Sequence, residues 1–163
     1  MRMTDEGPLD AIQHYYAGEF AWCYGCGRYN AAGHHFATRW QGDETLTEYL
    51  PRPEHTAIPG FVYGGLLASL ADCHSTGSGA LALYRREGHE PGDEAPVPRL
   101  VTASLHVEYL RPTPMGVLLQ ARGRIEEMGE RKVVVASEVH AAGVVVVRSR
   151  AVVVRAPQSM TKG

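Results

Sequence analysis

Pro59-Gly60-Phe61-Val62-Tyr63-Gly64-Gly65-Leu66-Leu67-Ala68-Ser69-Leu70-Ala71-Asp72 joins a glycine pair to an apolar helical pattern with one carboxylate on its polar side. Glycines at a helix start let a ligand come close to the unpaired N–H groups, and the backbone dipole makes those groups favour negative charge. The developing oxygen of a thioester or ester fits such a start. Past Asp72 the pattern continues, with Cys73 or His74, Gly77, Leu81 and Tyr84 recurring at roughly helical spacing. This predicts one long helix. Four glycines, with Ser, Thr and Cys, give it poor intrinsic propensity, so its stability must come from packing against something broad.

Upstream, Pro51, Pro53 and Pro59 prevent regular structure before the glycine pair. Two strands are predicted earlier, His34 to Trp40 and Thr45 to Leu50, around a turn at Gln41-Gly42-Asp43-Glu44. Trp22 to Gly33, rich in glycine and holding two cysteines, reads as an irregular connection, and residues 8 to 20 as a short amphipathic helix. Downstream, Glu87 to Pro98 is a polar, proline-rich loop. Val101, Ala103, Leu105, Val107 and Tyr109 then alternate with polar residues, as do Val117, Leu119, Ala121, Gly123 and Ile125. Arg131 to His140 and Val144 to Arg155, hinged at Gly143, complete an antiparallel meander. The predicted class is α+β, a curved antiparallel sheet wrapped around one long central helix.

With 163 residues and 44% apolar content, the chain reads as a single domain over 1–163, residues 1–33 forming an N-terminal extension. A net charge of −2 without blocks of like charge argues against nucleic acid. Met1-Arg2-Met3-Thr4-Asp5-Glu6-Gly7-Pro8 lacks the apolar core of a signal peptide and no later run is long enough to span a bilayer, so no membrane partner and a cytoplasmic location are expected. Cys23, Cys26 and Cys73 are then reduced thiols.

This order of elements resembles the hotdog fold, and specifically the phenylacetate-type acyl-CoA thioesterase branch. The resemblance covers nearly the whole chain. It rests on His55…Pro59-Gly60-Phe61-Val62-Tyr63-Gly64-Gly65…Asp72, Thr102-Ala103-Ser104-Leu105…Leu110-Arg111-Pro112, Gly129-Glu130-Arg131-Lys132-Val133, and the Cys23-Tyr24-Gly25-Cys26-Gly27 entry. It implies hydrolysis of a coenzyme A thioester, of a small aromatic or medium-chain acyl group, with Asp72 as base or nucleophile and the glycine amide as electrophile. No metal or redox cofactor is implied. Many relatives carry histidine where this chain has Tyr63, and several carry Asn or Gln where it has Ala57.

On one helix, Gly64 and Asp72 are eight residues apart, about 12 Å along the axis at ~1.5 Å per residue. A single carbonyl cannot contact both, since nucleophile and oxyanion donor must each sit about 3 Å from the reacting centre. The expectation is therefore a homo-oligomer, a dimer or dimer of dimers, with Gly64 of one protomer facing Asp72 of another, the arrangement the family implies. Gly65 shares the donor turn. Thr76, one turn after Asp72, is a candidate for orienting water or the carboxylate, and Tyr63 can donate a hydrogen bond. His55 lies in the approach to the site, and His74, on another helix face, belongs to a core or interface slot. Arg111, Arg131 and Lys132 stand at strand ends as candidates for binding the anionic coenzyme A moiety.

Three other readings compete. A non-catalytic acyl-CoA-binding protein is favoured by Tyr63 and Ala57, whereas in a hydratase Asp72 and His74 have the wrong spacing for one helical face. Cys23 and Cys26 with His34 and His35 hold zinc-ligand chemistry, but adjacent histidines on a strand point to opposite faces. The preferred reading of that segment is a tight loop with reduced cysteines and no metal.

Overall fold

A computed structural model describes residues 3–4 and 7–160. Residues 1, 2, 5, 6 and 161–163, and with them half of the opening octapeptide read above, lie outside the described residues. Two short strands, β1 (Met3–Thr4) and β2 (Gly7–Pro8), pair antiparallel. β3 (Thr38–Gln41) and β4 (Glu44–Tyr49) form a hairpin, and the helix α1 (Gly64–Arg86) follows. Four long strands complete the chain: β5 (Leu100–Tyr109), β6 (Leu119–Met128), β7 (Lys132–Ala141) and β8 (Val144–Arg155).

The main sheet runs β3-β4-β6-β7-β8-β5, all neighbours antiparallel. The chain crosses from β4 over α1 to the far edge, lays down β5, and returns through the β6–β8 meander. β3 and β5 are therefore the edges. α1 touches all six strands, which span about 24 Å at ~4.8 Å per strand, so the sheet must curl around the helix. One long helix on a six-stranded antiparallel sheet is the hotdog arrangement the resemblance implied.

The helix sequence explains how it can be so enclosed. From Leu70 to Tyr84 every residue except Asp72 is buried. Gly77 and Gly79 let the sheet approach, since a Cβ at Gly77 would lie 2.7 Å from Thr38 Oγ1 and one at Gly79 would lie 2.7 Å from Val153 Cγ2. Ser69, Ser75, Thr76 and Ser78 donate to carbonyls of their own helix, so their hydroxyls enter the interior satisfied. Leu66, Leu70, Leu81 and Leu83 meet Val133, Val135, Val147 and Val153 in the core.

A polar seam also crosses this core. His74 Nδ1 lies 2.8 Å from Thr47 Oγ1, Thr45 Oγ1 lies 2.6 Å from Ser78 Oγ, and Gln13 bonds Thr38 through both its side-chain atoms. Gly123 makes room for the imidazole, because a Cβ there would lie 2.5 Å from His74 Nε2. Burial pushes the His74 pKa down to about 3, so it is neutral. His74 thus fills the core slot expected of it.

The N-terminal part departs from the sequence reading. Residues 8 to 20 form two 3-10 turns, Ile12–Tyr15 and Gly18–Phe20, in place of an amphipathic helix. Arg28 donates to the Gln13 and Tyr16 carbonyls and ties this segment to the following loop. The first long strand starts at Thr38 and not His34, because the His34 and Phe36 amides donate to Tyr24 and Gly25 of that loop.

Candidate active site

The approach to the helix is a strap pinned on both sides. Val62 N donates to Thr113 O at 2.8 Å and Met115 N to Gly60 O at 2.9 Å, while Tyr63 N donates to His55 O at 2.8 Å. Gly60 turns the chain at φ +93°, a conformation that favours glycine. Tyr63 is the extended N-cap residue and makes no side-chain capping bond. The first-turn N–H groups of Gly64 and Gly65 thus lack both a helical acceptor and a cap. Tyr109 Oη donates to Gly64 O at 2.9 Å, which orients the peptide group that also carries the Gly65 N–H. The Tyr63 ring lies over Gly65 where a side chain would otherwise sit.

Two turns further on, Asp72 is half-buried, and its Oδ1 accepts a hydrogen bond from Thr102 on β5. A β-bulge between Thr102 and Ser104 breaks the register with β8 at this point. One carboxylate oxygen is therefore held, and no hydrogen bond to the other is present among the described residues. Thr102 was within a motif singled out from sequence, yet nothing local marked it as the partner of Asp72, thirty residues away. Tyr109 was missed for the same reason.

Other sequence candidates take different positions. Thr76 is buried and donates to Cys73 O at 3.1 Å. His55 is buried in an aromatic cluster with His34 and Tyr49, its Nδ1 accepting from Arg52 N at 3.1 Å, and burial followed by the Arg52 charge lowers its pKa. Its carbonyl supports the strap at Tyr63, and no bond joins its ring to Asp72. Arg111 follows β5 near the Gly64 end, whereas Arg131 lies in the β6–β7 turn and Lys132 opens β7, beside the point where Arg86 at the helix C-terminus donates to Gly129 O. A 23-residue helix separates these ends by about 34 Å at ~1.5 Å per residue.

The loop cysteines form a distinct group. Cys23, Cys26 and Cys73 have sulfurs all within 4.8 Å of one another, Cys23 to Cys73 being 3.9 Å. Hydrogen bonds from the Cys26 and Cys73 thiols hold Cys23 far below the usual thiol range, and donation to Cys23 pushes Cys26 up to about 12. His34 and His35 stand outside this group. His34 stacks among Tyr24, Phe36 and Tyr49, and exposed His35 bonds Asn30 O.

A depression of about 740 Å³ lies on the sheet face turned away from the helix, lined by residues such as Arg122, Arg124, Glu138 and Arg150. It includes neither Gly64 nor Asp72. Around the helix start the surface is instead apolar and open, with Ile58, Phe61, Tyr63, Tyr109 and Leu110 exposed. No helix among the described residues is long and apolar enough to cross a membrane.

Residues 59–148 match the model of the thioesterase superfamily. A thioesterase superfamily protein from Shewanella loihica is 46% identical, the match covering 75% of this chain and 91% of that one with a TM-score of 0.61. The Escherichia coli PaaI protein from the phenylacetic acid degradation operon is 19% identical, covering 72% of this chain and 75% of that one at a TM-score of 0.56. A Streptococcus mutans protein bound to acetyl CoA is 17% identical, covering 74% and 88% at 0.59. These two share the fold alone, so the phenylacetate-type branch is matched only distantly. None of the curated proteins matches. Because the family match spans more than half of the chain and takes in the glycine pair, Asp72 and Thr102, this chain belongs to the thioesterase superfamily.

Proposed function

We propose that the protein hydrolyses an acyl-CoA thioester, of a small aromatic or medium-chain acyl group, at a site shared between two protomers. The observation that carries this reading is the Thr102–Asp72 pair, a half-buried carboxylate held on the helix face next to β5, an edge strand paired on one side only among the described residues. Antiparallel pairing of two β5 edges about a two-fold axis would extend the sheet and set the helices antiparallel. Gly64 and Gly65 of one protomer then approach Asp72 of the other, and the Arg111 end of one approaches the Arg131–Lys132 end of the other. The exposed apolar residues around the helix start supply cover for the acyl chain. The acetyl CoA carried by the distant Streptococcus mutans structure accords with this ligand class.

In this mechanism the Gly64 and Gly65 N–H groups, aided by the helix dipole, donate to the developing oxyanion. Thr102 occupies Oδ1 of Asp72, so the free oxygen takes a proton from water as the water attacks the carbonyl carbon. Collapse breaks the C–S bond, and the coenzyme A thiolate leaves and is protonated. Direct attack by Asp72, giving a mixed anhydride that water then opens, uses the same groups. Free-thiol release from a panel of aromatic and medium-chain acyl-CoAs tests the proposal. Turnover in the wild type and its loss in a folded Asp72→Asn variant are expected. A wild type that binds acyl-CoA without turnover would establish the second reading, a binding protein, which exposed Ala57 and Tyr63 favour.

A further inference from the structure

We propose that Cys23, Cys26 and Cys73 form a three-thiolate site for a divalent thiophilic metal ion, zinc in class, which fastens the N-terminal loop to helix α1 directly beside Asp72. Thiolates about 2.3 Å from a tetrahedral zinc ion lie about 3.8 Å from each other. The Cys23–Cys73 separation of 3.9 Å already has that value, and no pair of sulfurs exceeds 4.8 Å.

The loop is built as a metal knuckle. The backbone N–H groups of Gly25 and Cys26 donate to the Cys23 sulfur, and Gly27 N closes the turn on Cys23 O at 2.7 Å. A side chain at Gly25 would overlap the Cys73 sulfur, and one at Gly27 would overlap the backbone at Cys23. Glycine at both places lets the loop close on the helix.

Two further groups lie within electrostatic reach of the three sulfurs. Tyr16 is buried with its hydroxyl unpartnered, and it interacts electrostatically with all three cysteines. Arg99 stacks 4.7 Å over the Tyr16 ring, also interacts with all three cysteines, and has no carboxylate partner among the described residues. Three thiolates, one divalent ion and one guanidinium sum to zero charge. A disulfide would join two sulfurs and strand the third. Cys23 is only half-buried, beside exposed Trp22, so water reaches the fourth ligand position.

The test is metal analysis of the full chain purified under reducing conditions, followed by chelation and titration with cobalt(II). The expected result is one zinc per chain and, after exchange, the thiolate-to-cobalt charge-transfer absorption, both lost in Cys73→Ser. Cys23→Ser, at the more exposed ligand, guards against a folding defect at the buried one and should weaken cobalt binding at least tenfold. Wild-type protein that is folded and reduced but gives no charge-transfer band overturns the proposal, as does a Cys23–Cys26 or Cys23–Cys73 disulfide in the protein as isolated.

Discussion

Asp72 is the one residue of the helix between Leu70 and Tyr84 that is not buried, and its only bonded partner among the described residues is a threonine across the helix–sheet boundary. Asp72→Asn removes the proton acceptor and should lower kcat by about 10²–10⁴-fold, measured as thiol release. Thr102→Val removes one hydrogen bond to a charged group, a loss of about 1.5–3 kcal/mol, so kcat should fall about 10–100-fold with KM nearly unchanged. An unaltered rate would sever Thr102 from the chemistry. His74 sets a different prediction. With a folded pKa near 3 and an unfolded value of 6.5, its unfolded form binds a proton that the folded form refuses between those limits. Stability should therefore fall as pH drops below 6.5, by about 1.4 kcal/mol per pH unit for this group. Burial lowers His34 and His55 as well, with the same sign. Urea midpoints across that window should flatten in His74→Gln, and an identical pH slope would refute the assignment.

At the level of elements, α1 was legible because its apolar spacing persists over five to six turns, and the meander because β5 and β6 alternate apolar with polar residues and glycine turns bound β7 and β8. The N-terminal elements were not. Pro8 and Gly18 bracket a segment whose hydrogen bonds are taken by Thr38 and Arg28, so periodicity there reflects docking and not helix formation. The helix glycines separate propensity from packing. Gly79→Ala should gain about 1 kcal/mol of helix propensity, but its Cβ would lie 2.7 Å from Val153 and 2.8 Å from Leu100. Overpacking of that kind costs about 1–3 kcal/mol. A net loss of stability in chemical denaturation is expected, and a gain would show that the sheet can yield at this point.

For the whole molecule, the decisive quantity is the ~12 Å between the glycine pair and Asp72 on one rigid helix. Asp72→Asn and Gly65→Val should each be inactive alone. Co-refolded, they should recover activity, because a mixed dimer restores one site with an intact glycine pair from one chain and an intact carboxylate from the other. No recovery, with mixed dimers demonstrated, would place both groups in one protomer's site. Sedimentation of the active species should correspondingly show no active monomer.

Apolar periodicity and glycine placement were enough to establish the helix and the antiparallel meander, because each depends on neighbours along the chain, while the hotdog class came from the resemblance carried by the run from Pro59 to Asp72 and its companion motifs. The partners that give the site its character join residues thirty to fifty positions apart: Thr102 with Asp72, Tyr109 with Gly64, and Cys73 with the Cys23–Cys26 loop. Only the curling of the sheet around α1 brings these together, since side-chain contacts across a helix–sheet boundary leave no periodic trace in either segment.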